Sequence, residues 1–138
     1  MICLKAQIKG EPDVPPITRV FEYANSADEV IFYNSVEIIR EKITKRLKIN
    51  TNEALVVFCA YVVDQLRARK PVKYIRENAS KILSSQNVMI GVPESLRTIN
   101  FEAQVDKLPM KKIMFNEPIP ITGSYILTEK SIQKIDNL

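Results

Sequence analysis

The sequence predicts an α+β fold in which a helical bundle is followed by a β-hairpin. Residues 54–63 are ten consecutive apolar residues, a run too short to cross a bilayer and too long for a typical strand, so they predict a helix. A helix that is apolar all round must be covered all round, so we expect three to four helices with this one at the centre. Residues 98–105 alternate between apolar and polar side chains, and residues 112–115 supply the return strand after a turn at residues 106–109.

The N-terminal residues add a further β-prone segment to this fold. Side chains in residues 1–12 alternate loosely, which predicts a half-buried strand that Gly10 and Pro12 interrupt. Residues 17–24 are rich in β-branched and aromatic side chains and predict a second strand. The two strands could pair with each other or with the hairpin. The apolar side of the first strand consists of Ile2, Leu4, Ala6 and Ile8.

The first helix is predicted to begin near Ser26 and to run for roughly five turns. Ser26 is a candidate N-cap, and Asp28 and Glu29 lie in the first turn, where negative charge stabilises a helix. Apolar residues then recur at spacings of three and four, as in an amphipathic helix. These apolar residues are Val30, Tyr33, Val36, Ile39, Ile43 and Leu47.

The central helix, predicted over residues 50–70, has strong signals at both of its ends. Asn50 and Glu53 have the spacing of a capping box, in which each side chain bonds the backbone N–H of the other residue. Pro71 cannot continue a helix, so the helix should end before it.

The segments that follow the central helix are shorter. Residues 72–83 predict a third helix, and residues 84–90 predict a short fourth helix that Gly91 ends. Met89 is expected in the core. In the C-terminal tail, residues 131–138 carry isoleucines at helical spacing.

Composition excludes several classes of active site. The chain has 138 residues, fits one domain and has no histidine, so it cannot contain a Ser-His-Asp or Cys-His nucleophile system or a histidine-ligated zinc or nickel site. Three glycines are too few for a Gly-rich phosphate loop. Cys59 lies in the apolar run and is expected to be buried. Cys3 and Cys59 as free thiols, with no leader pattern, predict a cytoplasmic chain that does not enter the membrane.

Several local motifs resemble the γ subunit of urease. The most specific is Val-Met-x-Gly-Val-Pro-Glu at residues 88–94. It is joined by Leu-Lys-Ile-Asn at 47–50, with Glu53-Ala54 just inside the helix, by Ile-Asn-Phe-Glu-Ala at 99–103 and by Phe-Asn-Glu-Pro-Ile at 115–119. The resemblance spans residues 22–119. It divides the chain into an N-terminal extension at 1–21, a γ-like domain and a C-terminal extension at 120–138.

The resemblance implies a subunit without catalytic residues of its own. In this family nickel and the urea-hydrolysing site belong to the large α subunit, and γ packs against α within a trimer of heterotrimers. The chain is therefore expected to bind no cofactor itself and to have urease-type α and β subunits as partners. It departs from the family where Asn116 stands in place of a histidine, and where residues 106–109 replace an Asp-Gly turn.

A second hypothesis is a stand-alone γ-like protein. The flanking segments could cover the surface that γ offers to its partners, and the chain would then form a homo-oligomer. Basic residues cluster at 40–48 and 67–81, and together they could bind nucleic acid. The same charges are also typical of a solvated surface, as in heat-adapted proteins. The nucleic-acid hypothesis assigns the contact to Arg46, Lys48, Arg67, Arg69, Lys70 and Lys73, with Tyr74 as a candidate for base stacking.

A third hypothesis, an enzyme that uses carboxylates such as Glu94 and Glu102, lacks a paired base or metal ligand in the sequence. The leading hypothesis remains a non-catalytic assembly subunit that acts through packing. Its expected docking surface is the turn at residues 91–93 together with the hairpin. The side chains predicted to pack there are Val92, Pro93, Phe101 and Phe115.

Overall fold

The structure, a computed structural model, describes residues 1–120 and contains four strands and four α-helices within them. The predicted α+β class, with its N-terminal strand and its hairpin after the helices, is confirmed. The elements in chain order are β1 (Ile2–Lys9), β2 (Ile17–Tyr23), α1 (Ser26–Thr44), α2 (Thr51–Arg67), α3 (Val72–Asn78), α4 (Val92–Ser95), β3 (Thr98–Val105) and β4 (Lys111–Asn116). The tail helix predicted at 131–138 lies outside the described residues.

The four strands form one antiparallel sheet in the order β2-β1-β3-β4. The N-terminal strand therefore pairs on both sides, with Ile2 opposite Tyr23 of β2 and opposite Val105 of β3. The sequence left these two pairings open, and the structure contains both. The hairpin of β3 and β4, with Phe101 opposite Ile113, agrees with its prediction.

One face of the sheet is buried under the helices. The alternating residues of β1 and β3 fill this face, while the polar residues between them point to the other side. Helix α1 packs on β2, α2 on β3 and α3 on β4, so the helices form a second layer in the same order as the strands. The buried positions in β1 are the predicted Ile2, Leu4, Ala6 and Ile8.

Helix α2 is the centre of the core, as its composition predicts. Asn50 accepts a hydrogen bond from the Glu53 backbone N–H at 2.8 Å, and Glu53 accepts one from the Asn50 N–H at 3.1 Å. The predicted capping box is thereby confirmed. Cys59 is buried and free, and burial raises the pKa of its thiol well above the ordinary value.

Helix α1 differs in detail from the predicted amphipathic pattern. Its N-cap is Asn25, which accepts from the Asp28 N–H, rather than Ser26. Val30 and Leu47 have the predicted spacing but are exposed, whereas Phe32 is buried against the Tyr23 ring at 5.0 Å. The helix is oriented by the sheet and by α2, and this tertiary contact selects a face that periodicity alone does not define.

The prediction that residues 84–90 form a helix ended by Gly91 is wrong. Only Ser85–Asn87 form a single 3₁₀ turn, and Gly91 is instead the N-cap of α4. The third helix is also shorter than the predicted 72–83, because α3 changes to a 3₁₀ turn at Ala79–Lys81. In residues 1–120 no helix is long and apolar enough to cross a membrane.

The capping box gives a direct test of the α2 terminus. We expect Asn50→Ala to lower the free energy of unfolding by about 1 kcal/mol, because the N–H groups of the first turn lose their acceptor. Asn52→Ala is the matched control, since Asn52 lies exposed in the same turn and makes no capping bond. Urea denaturation of both variants measures the effect, and equal losses would contradict the assignment.

Candidate partner-docking surface

The segment at residues 88–96 forms a turn with a buried base and an exposed tip. Val88, Val92 and Leu96 are buried in the core. Between them, Met89 is half-exposed and Ile90 is fully exposed. The buried residues fix the turn, so its two apolar tip residues are presented to solvent.

Backbone hydrogen bonds hold the base of this turn. Val88 bridges to Ile49, with the Ile49 N–H donating to the Asn87 carbonyl at 3.0 Å and the Met89 N–H donating to the Ile49 carbonyl at 2.9 Å. Two of the segments that resemble the urease γ family are thus bonded to each other. Gly91 has a φ of 91°, a left-handed conformation that a residue with a Cβ rarely adopts, and the Ser95 N–H and hydroxyl both donate to its carbonyl.

The loop between β1 and β2 packs directly on α4. A Cβ on Gly10 would lie 2.9 Å from the Glu94 carbonyl oxygen and 3.1 Å from the Ser95 Cα, so the close approach requires glycine. A cavity of about 470 Å³ lies between the loop and the turn. Its walls are mainly apolar and consist of Ile8, Gly10, Glu11, Val14, Pro15, Ile17, Ile90, Gly91, Glu94 and Ser95.

Among residues 1–120, the charged groups in the cavity wall are both acidic. Glu11 and Glu94 line it, and no lysine or arginine of this part of the chain does. Within the described residues, the Glu94 Oε2 atom is buried and accepts no hydrogen bond. A buried carboxylate oxygen without a donor is unfavourable, so this placement of the Glu94 side chain is energetically costly among the described residues.

The four residues predicted to pack at an interface are all inside the chain's own core. Val92 and Pro93 anchor the turn, and Phe101 lies 5.1 Å from Phe115 between ring centroids. Phe115 also contacts Phe58 in α2, with ring centroids 5.9 Å apart. These buried side chains support the surface residues of the turn and hairpin. A direct contact between them and another chain stays a prediction.

The sequence does not predict the residues that reach solvent at the turn. The expectation that Met89 lies in the core is wrong, because Met89 is half-exposed. The available signal was Gly91, since a left-handed glycine reverses the chain and leaves the residues before it at the tip of the turn.

The basic residues do not form one patch. Arg46 and Lys48 precede α2, whereas Arg69, Lys70 and Lys73 follow its C-terminus. Seventeen helical residues separate the two groups, a length of about 25 Å. Tyr74 is partly exposed, with the Lys70 Nζ atom 5.0 Å from its ring centroid.

Arg67 belongs to an internal ion-pair network rather than to a free basic surface. Its guanidinium donates to Glu29 of α1, to Asp106 after β3 and to the Tyr33 hydroxyl, which lies 2.8 Å away. The hydrogen bonds from Arg67 hold the pKa values of Glu29 and Asp106 below their ordinary range. Their carboxylates in turn raise the pKa of Arg67. The network joins α1, α2 and the hairpin turn.

The carboxylate-enzyme hypothesis gains no support from the geometry. Glu102 lies on the exposed face of β3, and Glu94 lies in α4 beside the cavity. Among residues 1–120, no group of three or more Cys, Asp or Glu side chains could hold a metal ion.

Comparison with known proteins relates most of the chain, including the turn, to one family. The model of the urease gamma subunit family matches residues 23–119. Urease subunit gamma of Halalkalibacterium halodurans is 29% identical over 92 residues, which are 67% of this chain and 91% of that protein. Urease subunit gamma of Laribacter hongkongensis is 30% identical over 76 residues, 55% of this chain and 76% of that protein.

The Arg67 network predicts a dependence of stability on pH. The ordinary pKa values are 4.5 for Glu29 and 3.8 for Asp106, and both are lowered in the folded chain. A carboxyl group with a lowered pKa stabilises the fold above its unfolded pKa and loses this contribution as the pH falls through its folded value. We therefore expect Arg67→Met to cost about 1–3 kcal/mol of unfolding free energy at pH 7 and less at pH 3.

The matched control for Arg67→Met is Arg40→Met. Arg40 also pairs with two carboxylates, Glu37 and Asp64, but all three side chains are about half-exposed or more. Its loss should cost less than about 0.5 kcal/mol. Urea denaturation between pH 3 and pH 7 measures both variants. An Arg67→Met variant with the same pH slope as the unmodified chain would contradict the role of the network.

Proposed function

The chain belongs to the urease gamma subunit family, and from this membership we propose that it is a non-catalytic assembly subunit that acts by packing against larger urease-type subunits. The observation that carries the proposal is the exposed apolar tip formed by Met89 and Ile90. A fully exposed isoleucine buries no apolar surface in the isolated chain and so does not stabilise its fold. Its burial against a partner would contribute about 2 kcal/mol.

The cavity beside the tip supports the same role. Apolar walls suit an inserted side chain, and the two carboxylates of Glu11 and Glu94 favour a basic or hydrogen-bond-donating group on the partner. We propose this turn and cavity as the docking site for the partner's segment.

Catalysis in this proposal belongs to a partner chain. The sequence contains no histidine, so imidazole ligands for nickel would have to come from another subunit, as would the residues that hydrolyse urea. Urease-type α and β subunits are the proposed partners. A cytoplasmic setting is part of the proposal and is supported by two free cysteines.

The proposal also includes the division of the chain into an extension at 1–21, a γ-like domain at 22–119 and an extension at 120–138. The first extension supplies β1 and most of β2, so it would extend the family's hairpin into a wider sheet. Nucleic-acid binding has weaker support. Its six basic residues lie at the two ends of α2, and Arg67 is engaged with Glu29 and Asp106.

Affinity purification tests the assembly role. The full chain, tagged at its C-terminus and expressed in its native host, should recover a histidine-rich nickel hydrolase subunit. Ile90→Glu should reduce the recovered partner by at least about tenfold, because it places a charge in an apolar contact. Val30→Glu is the control, since Val30 is about half-exposed on α1 and lies outside the turn, the hairpin and the cavity.

Two outcomes would contradict the assembly role. One is recovery of the same amount of partner with Ile90→Glu as with the unmodified chain. The other is urea hydrolysis, or stoichiometric nickel, in the purified chain alone. Circular dichroism of both variants distinguishes loss of contact from loss of fold.

A further inference from the structure

Strand β2 has one edge that no strand within residues 1–120 pairs with. It lies at the end of the sheet order and bonds to β1 on one side only. Alternate residues of β2 therefore carry backbone N–H and C=O groups that face outward, with no strand partner among the described residues. Such an edge is a template for pairing with another chain.

This edge also lacks two of the features that usually block pairing, proline and a β-bulge. Between Ile17 and Tyr23 there is no proline, and the register with β1 is continuous, without a bulge. Ile17, Thr18 and Val20 are β-branched and exposed. The opposite edge is better protected, because β4 carries Lys111 and Lys112 and packs against α3.

We propose that the β2 strands of two copies of this chain pair antiparallel about a two-fold axis at Val20, which joins the two sheets into one of eight strands. A two-fold axis perpendicular to the sheet places one residue opposite itself. Only the register centred on Val20 pairs all seven residues. It sets Val20 opposite Val20, Thr18 opposite Glu22, Arg19 opposite Phe21 and Ile17 opposite Tyr23.

The charges of β2 suit this register. Its two charged residues, Arg19 and Glu22, both face uncharged residues, so no like charges lie directly opposite one another. A register centred on Arg19 would place two guanidinium groups together. The strand is therefore compatible with itself, and this favours a second copy as the occupant of the edge.

Helix α1 adds an apolar surface on the same side of the molecule. Ile31 and Ile38 are exposed, and their helical positions are opposite those of Glu29 and Arg40, which pair with α2. Helix α1 packs on β2, which is the strand at the end of the sheet. The flank of α1 that carries Ile31 and Ile38 therefore faces away from the other helices. The two-fold axis keeps both helix layers on one face of the joined sheet, so the α1 flanks of the two copies would face each other.

The strands β1 and β2 lie almost entirely before the part of the chain that matches the family, which begins at residue 23. The edge that we assign to self-association is therefore a feature of the N-terminal extension. It can be tested separately from the docking turn, since Ile90 lies outside β2 and outside the residues that the dimer register pairs.

Sedimentation velocity of the full chain tests the proposal. The unmodified chain should form a dimer, and Val20→Lys should raise its dissociation constant by at least about tenfold, because two ammonium groups would lie opposite each other. Met114→Lys, on the other edge strand, should leave the dimer unchanged. A chain that stays monomeric at its highest attainable concentration, or an equal effect of both variants, would overturn the proposal.

Disulfide cross-linking tests the register itself. Opposed residues of an antiparallel pair lie within disulfide range. In a Cys3→Ser background, Val20→Cys should therefore cross-link to its own copy under mild oxidation. Thr18→Cys should not, because the two Thr18 positions would be about 14 Å apart, but Thr18→Cys combined with Glu22→Cys should.

The cross-linking outcomes separate the possibilities. Covalent dimer from Val20→Cys and from the double variant, with little from Thr18→Cys alone, supports the register. Equal cross-linking of all variants, or none from Val20→Cys, would overturn it. Thermal unfolding of each reduced variant verifies that the fold is retained.

Discussion

The structure depends on covering one helix. Ten of the seventeen residues of α2 are buried, and they lie on all sides of the helix. The remaining elements are arranged to remove this surface from water. The sheet covers one side, α1 covers a flank, α3 contacts α2 at Tyr61, and the turn at Val92 covers part of the rest. The Tyr61 hydroxyl is buried in this core but is not left unpaired, because it donates a hydrogen bond to the Ile75 carbonyl of α3 at 2.7 Å.

The width of the sheet follows from the same requirement. A hairpin of β3 and β4 alone offers two buried strand faces to the helices, and β1 adds a third row of buried side chains beside β3. Strand β2 then bonds to the free edge of β1, but most of its residues are exposed. The N-terminal segment thus extends the core with its first strand and moves the exposed sheet edge out to its second.

The sequence predicted a helix or strand correctly where residues close together in the chain are enough to determine it. The α2 run, the Asn50 capping box and the alternation of β3 were all specified within a few residues. The errors came from contacts between distant residues. Val30 is periodic but exposed, and Gly91 begins a helix instead of ending one, because the Val88–Ile49 bridge reverses the chain just before it. The docking tip was missed for the same reason, since exposure of Met89 depends on that bridge.

The two proposed contact surfaces meet at one residue. Ile17 lines the cavity beside the Ile90 tip, and it is also the first residue of the β2 edge. In the antiparallel register centred on Val20, Ile17 lies opposite Tyr23 of the second copy, so dimer formation would change one wall of the cavity. Docking of a partner segment and pairing of β2 are then thermodynamically linked through this side chain, and each must change the affinity of the other by the same factor.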